Sequence, residues 1–167
     1  NLTNEPIVMI NYKITPNPLA HEWHIRLTFR QEHDLETEIS LPNWVPGSYL
    51  IRDFSRNITT IRAFCNGEYT HLTQVKKNRW RTAPQSGEWE IYYTVYAYDL
   101  SVRGSFLTAE RGFFDGACLF LQVNGQENST HQIEFPILPK TWQIATTLPQ
   151  TNVHGFQTTS YHDLIDH

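Results

Sequence analysis

Residues able to do chemistry gather in two segments between strand-like stretches of the chain. The longer segment, 99–116, far exceeds the roughly two to five residues of an ordinary hairpin loop. Aromatic side chains are mixed there with both signs of charge, which suits a loop packed against another surface. We therefore predict a structured loop that folds over its own sheet or against a partner. Its charged candidates are Asp99, Arg103, Glu110, Arg111 and Asp115.

The second segment, 41–58, contains Pro46-Gly47, which suits the central pair of a type II turn. Proline presets φ at the first position, and glycine tolerates the positive φ of the second. The segment is interpreted as a corner between sheets anchored by aromatic side chains, with a binding role as the alternative. Its candidate contact residues are Tyr49, Arg52, Asp53 and Arg56.

The sequence carries no recognisable catalytic or metal-binding pattern. His21 and His24 stand three residues apart at the start of a predicted strand, so they would point to opposite faces. A zinc H-E-x-x-H site needs two histidines four apart on a helix. Neither Cys65 nor Cys118 has a neighbouring histidine that would activate a thiolate. From the residues alone we expect no metal or cofactor in this chain, and a role in binding or support.

Length and charge narrow the range of partners. The chain has 167 residues and a net charge of −4, which predicts one domain over 1–167 without a basic face for nucleic acid. No apolar run approaches the roughly twenty residues of a membrane span, so no membrane partner is expected. The chain lacks a first methionine and a signal peptide, which suggests a fragment or processed product, either cytoplasmic or periplasmic. The two cysteines are predicted to be buried thiols, with one disulfide as the alternative.

Hydrophobic alternation predicts an antiparallel β-sandwich, all-β with long loops and a short helix beginning at the C-terminus. In 89–98 the second face is aromatic, so both faces of this long strand are expected to meet protein. Pro16 and Pro18 are expected to end the first strand. Asn66-Gly67 predicts a type I′ hairpin turn, and Asn124-Gly125 a second turn of the same kind. Strands are predicted at 7–14, 23–30, 36–41, 58–65, 68–72, 78–82, 89–98, 117–123, 131–135 and 142–148.

Long stretches of the chain resemble the N-terminal domain of the glycyl aminopeptidase family of zinc metallopeptidases. The most specific are LPNWVPGSYLIRDFSRNI (41–58) and YAYDLSVRGSFLTAERGFFDGACLFLQVNG (96–125). KKNRWRT (76–82), TWQIATTLP (141–149) and SYHDLIDH (160–167) follow the same pattern in the same order. The resemblance therefore covers nearly the whole chain.

The resemblance implies a bacterial-type enzyme in which this β-sandwich precedes a thermolysin-like catalytic domain and usually a PDZ-type domain. Such enzymes remove small N-terminal residues such as Gly or Ala, using zinc on H-E-x-x-H plus a downstream Glu. None of these motifs occurs in the 167 residues, so we expect no peptidase activity from this chain alone. The zinc is expected in the catalytic domain. The implied partners are that domain and a peptide substrate with a small N-terminal residue.

By analogy with the layout of related aminopeptidases, the loop 99–116, together with 49–56, is expected to face the catalytic domain and help close the substrate cleft. Glu110 or Asp115 would bind the substrate's α-ammonium group. The alternative is that Arg103, Arg111 and Asp115 form ion pairs between domains or within the loop. A different class of function is a freestanding carbohydrate- or peptide-binding module, which would use Trp44, Tyr49 and the aromatic face of the long strand.

Overall fold

The computed structural model describes residues 9–20, 22–41, 58–96, 120–134, 150–152 and 155–166. These ranges contain twelve strands, a short 3₁₀ helix at Pro18–Ala20 and one α-helix. The strands and the helix are β1 (Met9–Asn17), β2 (Glu22–Gln31), β3 (Glu38–Ser40), β4 (Ile58–Cys65), β5 (Glu68–Thr70), β6 (Leu72–Lys76), β7 (Arg79–Thr82), β8 (Gly87–Tyr96), β9 (Gln122–Val123), β10 (Thr130–Glu134), β11 (Gln150–Asn152), β12 (Gly155–Thr158) and α1 (Tyr161–Asp166).

The strands form two sheets, which confirms the predicted all-β sandwich. The large sheet has the order β11-β12-β10-β1-β2-β8-β4-β5, and the small sheet has the order β6-β7-β3-β9. The strands pair in the antiparallel sense except β1 and β10, which run parallel. The inward side chains of the large sheet and apolar residues of the small sheet, such as Ile39 and Val123, build one core.

Strand β8 lies near the middle of the large sheet and pairs with β2 along its whole length. Its alternation is the predicted one, because Trp89, Ile91, Tyr93 and Val95 are all buried. The Trp89 ring stacks on Phe29 of β2, with ring centroids 6.4 Å apart. The inner face of β8 is therefore a principal wall of the core.

Two predictions from turn-forming residues meet different outcomes. Asn66 and Gly67 both have positive φ, of 52° and 84°, which confirms the type I′ turn between β4 and β5. At the second site only Gly125 has positive φ (92°), and the Gln126 N–H donates to the Val123 carbonyl across 3.0 Å. That combination is typical of a type II turn, so the prediction of a second type I′ turn was wrong.

The first strand continues past the point where proline was expected to stop it. β1 runs through Pro16 to Asn17, and Pro16 lies opposite Trp23 of β2. Strand β10, on the other side of β1, pairs only as far as Lys13. Beyond Lys13, β1 is an edge, where a missing N–H is tolerated.

Several other boundaries also differ from the sequence-based ones. The predicted strand 68–72 is divided between β5 and β6, and the predicted strand 36–41 is shorter, at β3. Of the predicted strand 117–123, only β9 is seen in the described part of the chain. The predicted strand 142–148 lies outside the described residues.

The predicted C-terminal helix is present as α1, and it packs through Tyr161 and Leu164, which are both buried. Cys65 is a free, buried thiol whose Sγ lies 3.6 Å from the Ser86 carbonyl, and burial raises its pKa. Cys118 lies outside the described residues. Within the described ranges, no helix is both long and apolar enough to cross a membrane.

Candidate functional site

Two long segments, 42–57 and 97–119, connect the small sheet with the large one. The first runs from the end of β3 to the start of β4, and the second runs from the end of β8 towards β9. Because β3 pairs with β9 and β4 pairs with β8, the described ends of the two segments lie side by side, one pair in each sheet. The opposed residues are Ser40 and Gln122 in the small sheet, and Ile58 and Val95 in the large sheet.

Three core tyrosines hold the backbone where the chain returns to the small sheet. The Tyr12 hydroxyl donates to the Leu121 carbonyl across 2.5 Å, and the Tyr161 hydroxyl donates to the Phe120 carbonyl across 2.7 Å. The Leu121 N–H donates to the Tyr93 hydroxyl across 3.2 Å. Burial raises the pKa of Tyr12 and of Tyr93 well above the usual range, so both stay neutral. The return point is thus fixed from inside the core.

Asn78 holds the backbone at Leu41, just after β3, where segment 42–57 begins. The Leu41 N–H donates to the Asn78 carbonyl across 2.9 Å, and the Asn78 side-chain amide donates to the Leu41 carbonyl across 2.5 Å. Leu41 itself is buried. Segment 42–57 therefore follows a residue that is buried and hydrogen-bonded through its backbone N–H and carbonyl.

Exposed apolar side chains lie beside these connections in the large sheet. Tyr96 ends β8 opposite Glu22 and is 41% exposed. Leu19, in the 3₁₀ helix between β1 and β2, is 94% exposed. This end of the large sheet thus offers apolar surface next to the ends of both long segments.

The outer face of the large sheet carries a groove of about 660 Å³ across four strands. Register places its side chains in two rows, in the strand order β1, β2, β8 and β4. The first row is Lys13, Arg26, Tyr92 and Arg62, and the second is Thr15, His24, Thr94 and Thr60.

One cation of the groove is neutralised by its neighbour. Arg26 forms an ion pair with Glu90, and its Nε donates to Glu90 Oε2 across 2.8 Å. Burial lowers the pKa of Arg26, but the hydrogen bond and charge of Glu90 outweigh that effect and raise it. The Tyr92 hydroxyl donates to the same Glu90 oxygen across 3.1 Å. Arg26 is therefore held in place rather than free to bind.

The Tyr92 ring is flanked by guanidinium groups from both neighbouring strands. The centres of the Arg26 and Arg62 guanidiniums lie 5.9 and 5.4 Å from the ring centroid. Phe64 meets the same ring edge-on, with centroids 5.6 Å apart. These side chains already contact the Tyr92 ring, where a sugar would have to stack. Tyr92 therefore gives no support to the alternative of a carbohydrate-binding module.

A buried histidine lies behind the tyrosine contacts. His131 is fully buried, and its Nδ1 lies 2.7 Å from the Ser129 carbonyl, which can only accept, so Nδ1 carries the proton. Its Nε2 is buried and has no hydrogen-bond partner among the described residues. The ring stacks on Tyr12 and meets Tyr161 edge-on, with centroids 6.2 and 5.8 Å away. Burial lowers the pKa of His131, although Ser129 and the charge of Glu127 partly oppose this effect.

Comparison with known proteins gives this architecture a family. The Peptidase M61 N-terminal domain family matches residues 11–167, almost the whole chain. The chain belongs to this family.

A solved structure agrees with the assignment of the M61 N-terminal domain. The crystal structure of an aminopeptidase N family protein from Idiomarina loihiensis is 38% identical and superposes with a TM-score of 0.83. The match covers 95% of this chain and 28% of the Idiomarina chain. The present chain thus corresponds to about a quarter of that larger protein. No curated protein sequence gives a significant match.

The site residues predicted for this M61 domain lie outside the described residues. The structure therefore places their segments by the described ends alone, and their roles stay predictions. They are Tyr49, Arg52, Asp53, Arg56, Asp99, Arg103, Glu110, Arg111 and Asp115.

Histidine, cysteine and carboxylate side chains are scattered through the described ranges. In those ranges no group of three His, Cys, Asp or Glu side chains is arranged to hold a metal ion. His24 lies on the exposed face of β2, and its Nε2 is 3.2 Å from a Glu22 carboxylate oxygen. Its predicted partner, His21, lies outside the described residues.

The groove of the M61 domain was not found from sequence. Alternation in β2 did place Arg26 and His24 on the polar face, and Lys13 lies on β1, the strand just before β2, but Arg62 lies on β4, far from both in sequence. Nothing local to Arg62 shows that β4 lies beside β8 and that β8 lies beside β2. The basic residues at alternate positions of β2, His24 and Arg26, were the available signal.

Proposed function

We propose that this M61 N-terminal domain is a non-catalytic part of a zinc aminopeptidase, which supports the catalytic domain and shapes its substrate cleft. The observation that carries the proposal is the pairing of the described ends of 42–57 and 97–119 in both sheets. The two segments that contain the predicted site residues therefore begin and end at neighbouring positions. Leu19 and Tyr96 supply exposed apolar surface beside them, as a contact with a second domain requires.

The proposed chemistry is the recognition of a free N-terminus. An aminopeptidase needs a fixed carboxylate for the α-ammonium group and a barrier to chain beyond it. Segment 97–119 contains two carboxylate candidates, Glu110 and Asp115. In this proposal zinc and its ligands belong to the catalytic domain, and the substrate is a peptide with a small N-terminal residue, as the family resemblance implies.

Glu110→Gln in the longer enzyme tests this role, because the substitution keeps the side-chain shape and removes the charge. We expect kcat/KM for an alanyl or glycyl substrate to fall roughly tenfold to a hundredfold, the range for losing a hydrogen bond to a charged group. Asp115→Asn tests the second candidate in the same way.

The matched control is Glu68→Gln, because Glu68 is an exposed carboxylate on β5. It pairs with Cys65 at the end of β4, whereas Ile58 lies at the start of that strand. This control variant should keep full activity. Unchanged kcat/KM in both Glu110→Gln and Asp115→Asn would remove ammonium recognition from this domain. Equal losses in Glu68→Gln would show that the effect is not specific to segment 97–119.

A further inference from the structure

Arg62, in the outer groove, differs from the other described arginines in its charged neighbours. Arg26 pairs with Glu90, and Arg30 pairs with both Glu32 and Glu88. Arg62, by contrast, has no carboxylate within ion-pair distance among the residues that the structure describes. It is exposed and lies over the rings of Phe64 and Tyr92. The remaining described arginines, Arg79 and Arg81, share Glu38.

Lys13 is the second groove cation that has no ion pair within the described part of the chain. It lies on β1 opposite Arg26, and its neighbour on β10 is Glu134. Glu134 accepts a hydrogen bond from the Gln132 amide across 2.9 Å and forms no ion pair with Lys13. After the Arg26–Glu90 pair is set aside, Lys13 and Arg62 give the groove two positive charges that form no ion pair with any carboxylate of the described residues. The chain as a whole is acidic, with a net charge of −4.

The spacing of the two strands that carry these charges favours an extended ligand. Lys13 and Arg62 occupy the same row on β1 and β4, three strand spacings apart. At about 4.8 Å per spacing, their backbones are about 14 Å apart. A small dicarboxylate does not match this span, whereas residues i and i+4 of an extended peptide are about 13 Å apart and point to the same face.

The surface between the two cations suits a polypeptide. The second row supplies hydroxyl groups from Thr15 and Thr60, which can donate to or accept from a peptide backbone. Thr94 is mostly buried and lies 3.3 Å from His24 Nδ1.

We propose that this groove binds an extended acidic peptide segment, which crosses β1, β2, β8 and β4 with one carboxylate on Lys13 and a second, four residues away, on Arg62. The ligand class is a polypeptide with the pattern Glu/Asp-x-x-x-Glu/Asp. This proposal rests on none of the residues in 42–57 or 97–119, so its test does not depend on the aminopeptidase proposal.

The test is fluorescence anisotropy of labelled peptides with the full 167-residue chain. The probe is an extended, Thr- and Ser-rich peptide with glutamates at positions i and i+4. One control peptide has glutamine at both positions, and a second has adjacent glutamates at i and i+1, which keep the charge and lose the spacing. We expect the probe to bind at least about fivefold more tightly than either control, and its Kd to rise with salt.

The variants are Arg62→Gln and Lys13→Gln, each expected to weaken probe binding about fivefold, and their double variant. Lys76→Gln is the matched control, since Lys76 is an exposed lysine on β6 of the small sheet. It should leave Kd unchanged. Circular dichroism checks that every variant is folded.

Three results would overturn the proposal. The first is equal binding of the glutamate and glutamine peptides, and the second is unchanged binding by the double variant. The third is equal affinity for the peptide with adjacent glutamates or for a polyphosphate, which would indicate a general attraction of anions rather than a spaced peptide site.

Discussion

The two faces of the large sheet use the same strands in opposite ways. On the inner face of β8, Trp89, Ile91 and Tyr93 are packed out of solvent. On the outer face, the alternate residues Glu90 and Tyr92 are half-buried and held by polar and cation–π contacts. Apolar packing therefore determines which side chains fit on the inner face, whereas polar and charged contacts determine those on the outer face.

This difference separates what folds the domain from what it can bind. Buried apolar area contributes most of the stability of a domain, whereas partly exposed ion pairs typically contribute about 1 kcal/mol or less. The outer row is therefore free to vary in charge without loss of the fold. Arg62, which lacks a carboxylate partner among the described residues, is the clearest case of a side chain kept without an ion pair.

The largest expected effect comes from Trp89→Ala on the inner face. Trp89 is fully buried, stacks on Phe29 and donates its indole N–H to the Gln85 carbonyl across 3.0 Å. We expect the free energy of unfolding in urea to fall by about 3–5 kcal/mol, because a large cavity remains. The matched variant on the other face is Tyr92→Ala, which should lose about 1–2 kcal/mol.

Comparable losses at Trp89 and Tyr92 would contradict the division between the two faces. In that case the outer aromatic ring would be as structural as the inner one. The m-value should be the same in both variants and the wild type, so that midpoints report stability alone.

The second prediction concerns pH and His131. Its pKa is lowered in the folded state by burial, so the unfolded chain takes up a proton first as the pH falls. Folding stability is therefore full above the ordinary histidine pKa of about 6.5 and decreases as the pH falls below it. Each unit by which the folded and unfolded pKa values differ corresponds to about 1.4 kcal/mol. The groups that face the ring are Tyr12, Tyr161 and, through its charge, Glu127.

Urea unfolding at pH 5.5 and pH 8.0 measures this dependence. The His131→Phe variant keeps an aromatic ring beside Tyr12 and removes the proton site, so it should lose less stability on acidification than the wild type. His71→Phe is the control, since His71 is the exposed residue between β5 and β6, and this variant should retain the wild-type dependence. Identical pH dependence in wild type and His131→Phe would show that another group governs the acid response.

Local patterns were sufficient for most of the described strands and for one turn, but they missed β11 and β12. The alternation through Trp89 and Val95 gave the buried face of β8 correctly, because each inward position needs only an apolar side chain. Asn66-Gly67 gave its turn correctly, because only residues tolerant of positive φ fit both central positions. Pro16 misled, since its cost depends on whether a neighbouring strand needs its N–H, and β10 ends before it.

Long-range pairing was beyond the sequence, and the groove depends on it. Lys13 and Arg62 share a row because β1 and β4 lie on opposite sides of β2 and β8, an order that no local pattern encodes. The tyrosine contacts at Leu121 come from Tyr12 and Tyr93 for the same reason. Segments 42–57 and 97–119 were recognised by composition, and the strand pairing gives the positions of their ends.

Glu90→Gln is expected to have the smallest effect on stability. It is the sharpest test of the difference between the two faces, because it changes charge on the outer face alone. Loss of the partly exposed pair with Arg26 should lower the free energy of unfolding by no more than about 1 kcal/mol. Arg26 then becomes a third cation, between Lys13 and Arg62, that has no ion pair among the described residues, so the spaced glutamate peptide should bind more tightly than to the wild type. Glu88→Gln, which removes an exposed partner of Arg30, is the control and should leave peptide binding unchanged. Weaker binding by Glu90→Gln would mean that the groove needs the ordered Arg26–Glu90–Tyr92 cluster more than it needs positive charge.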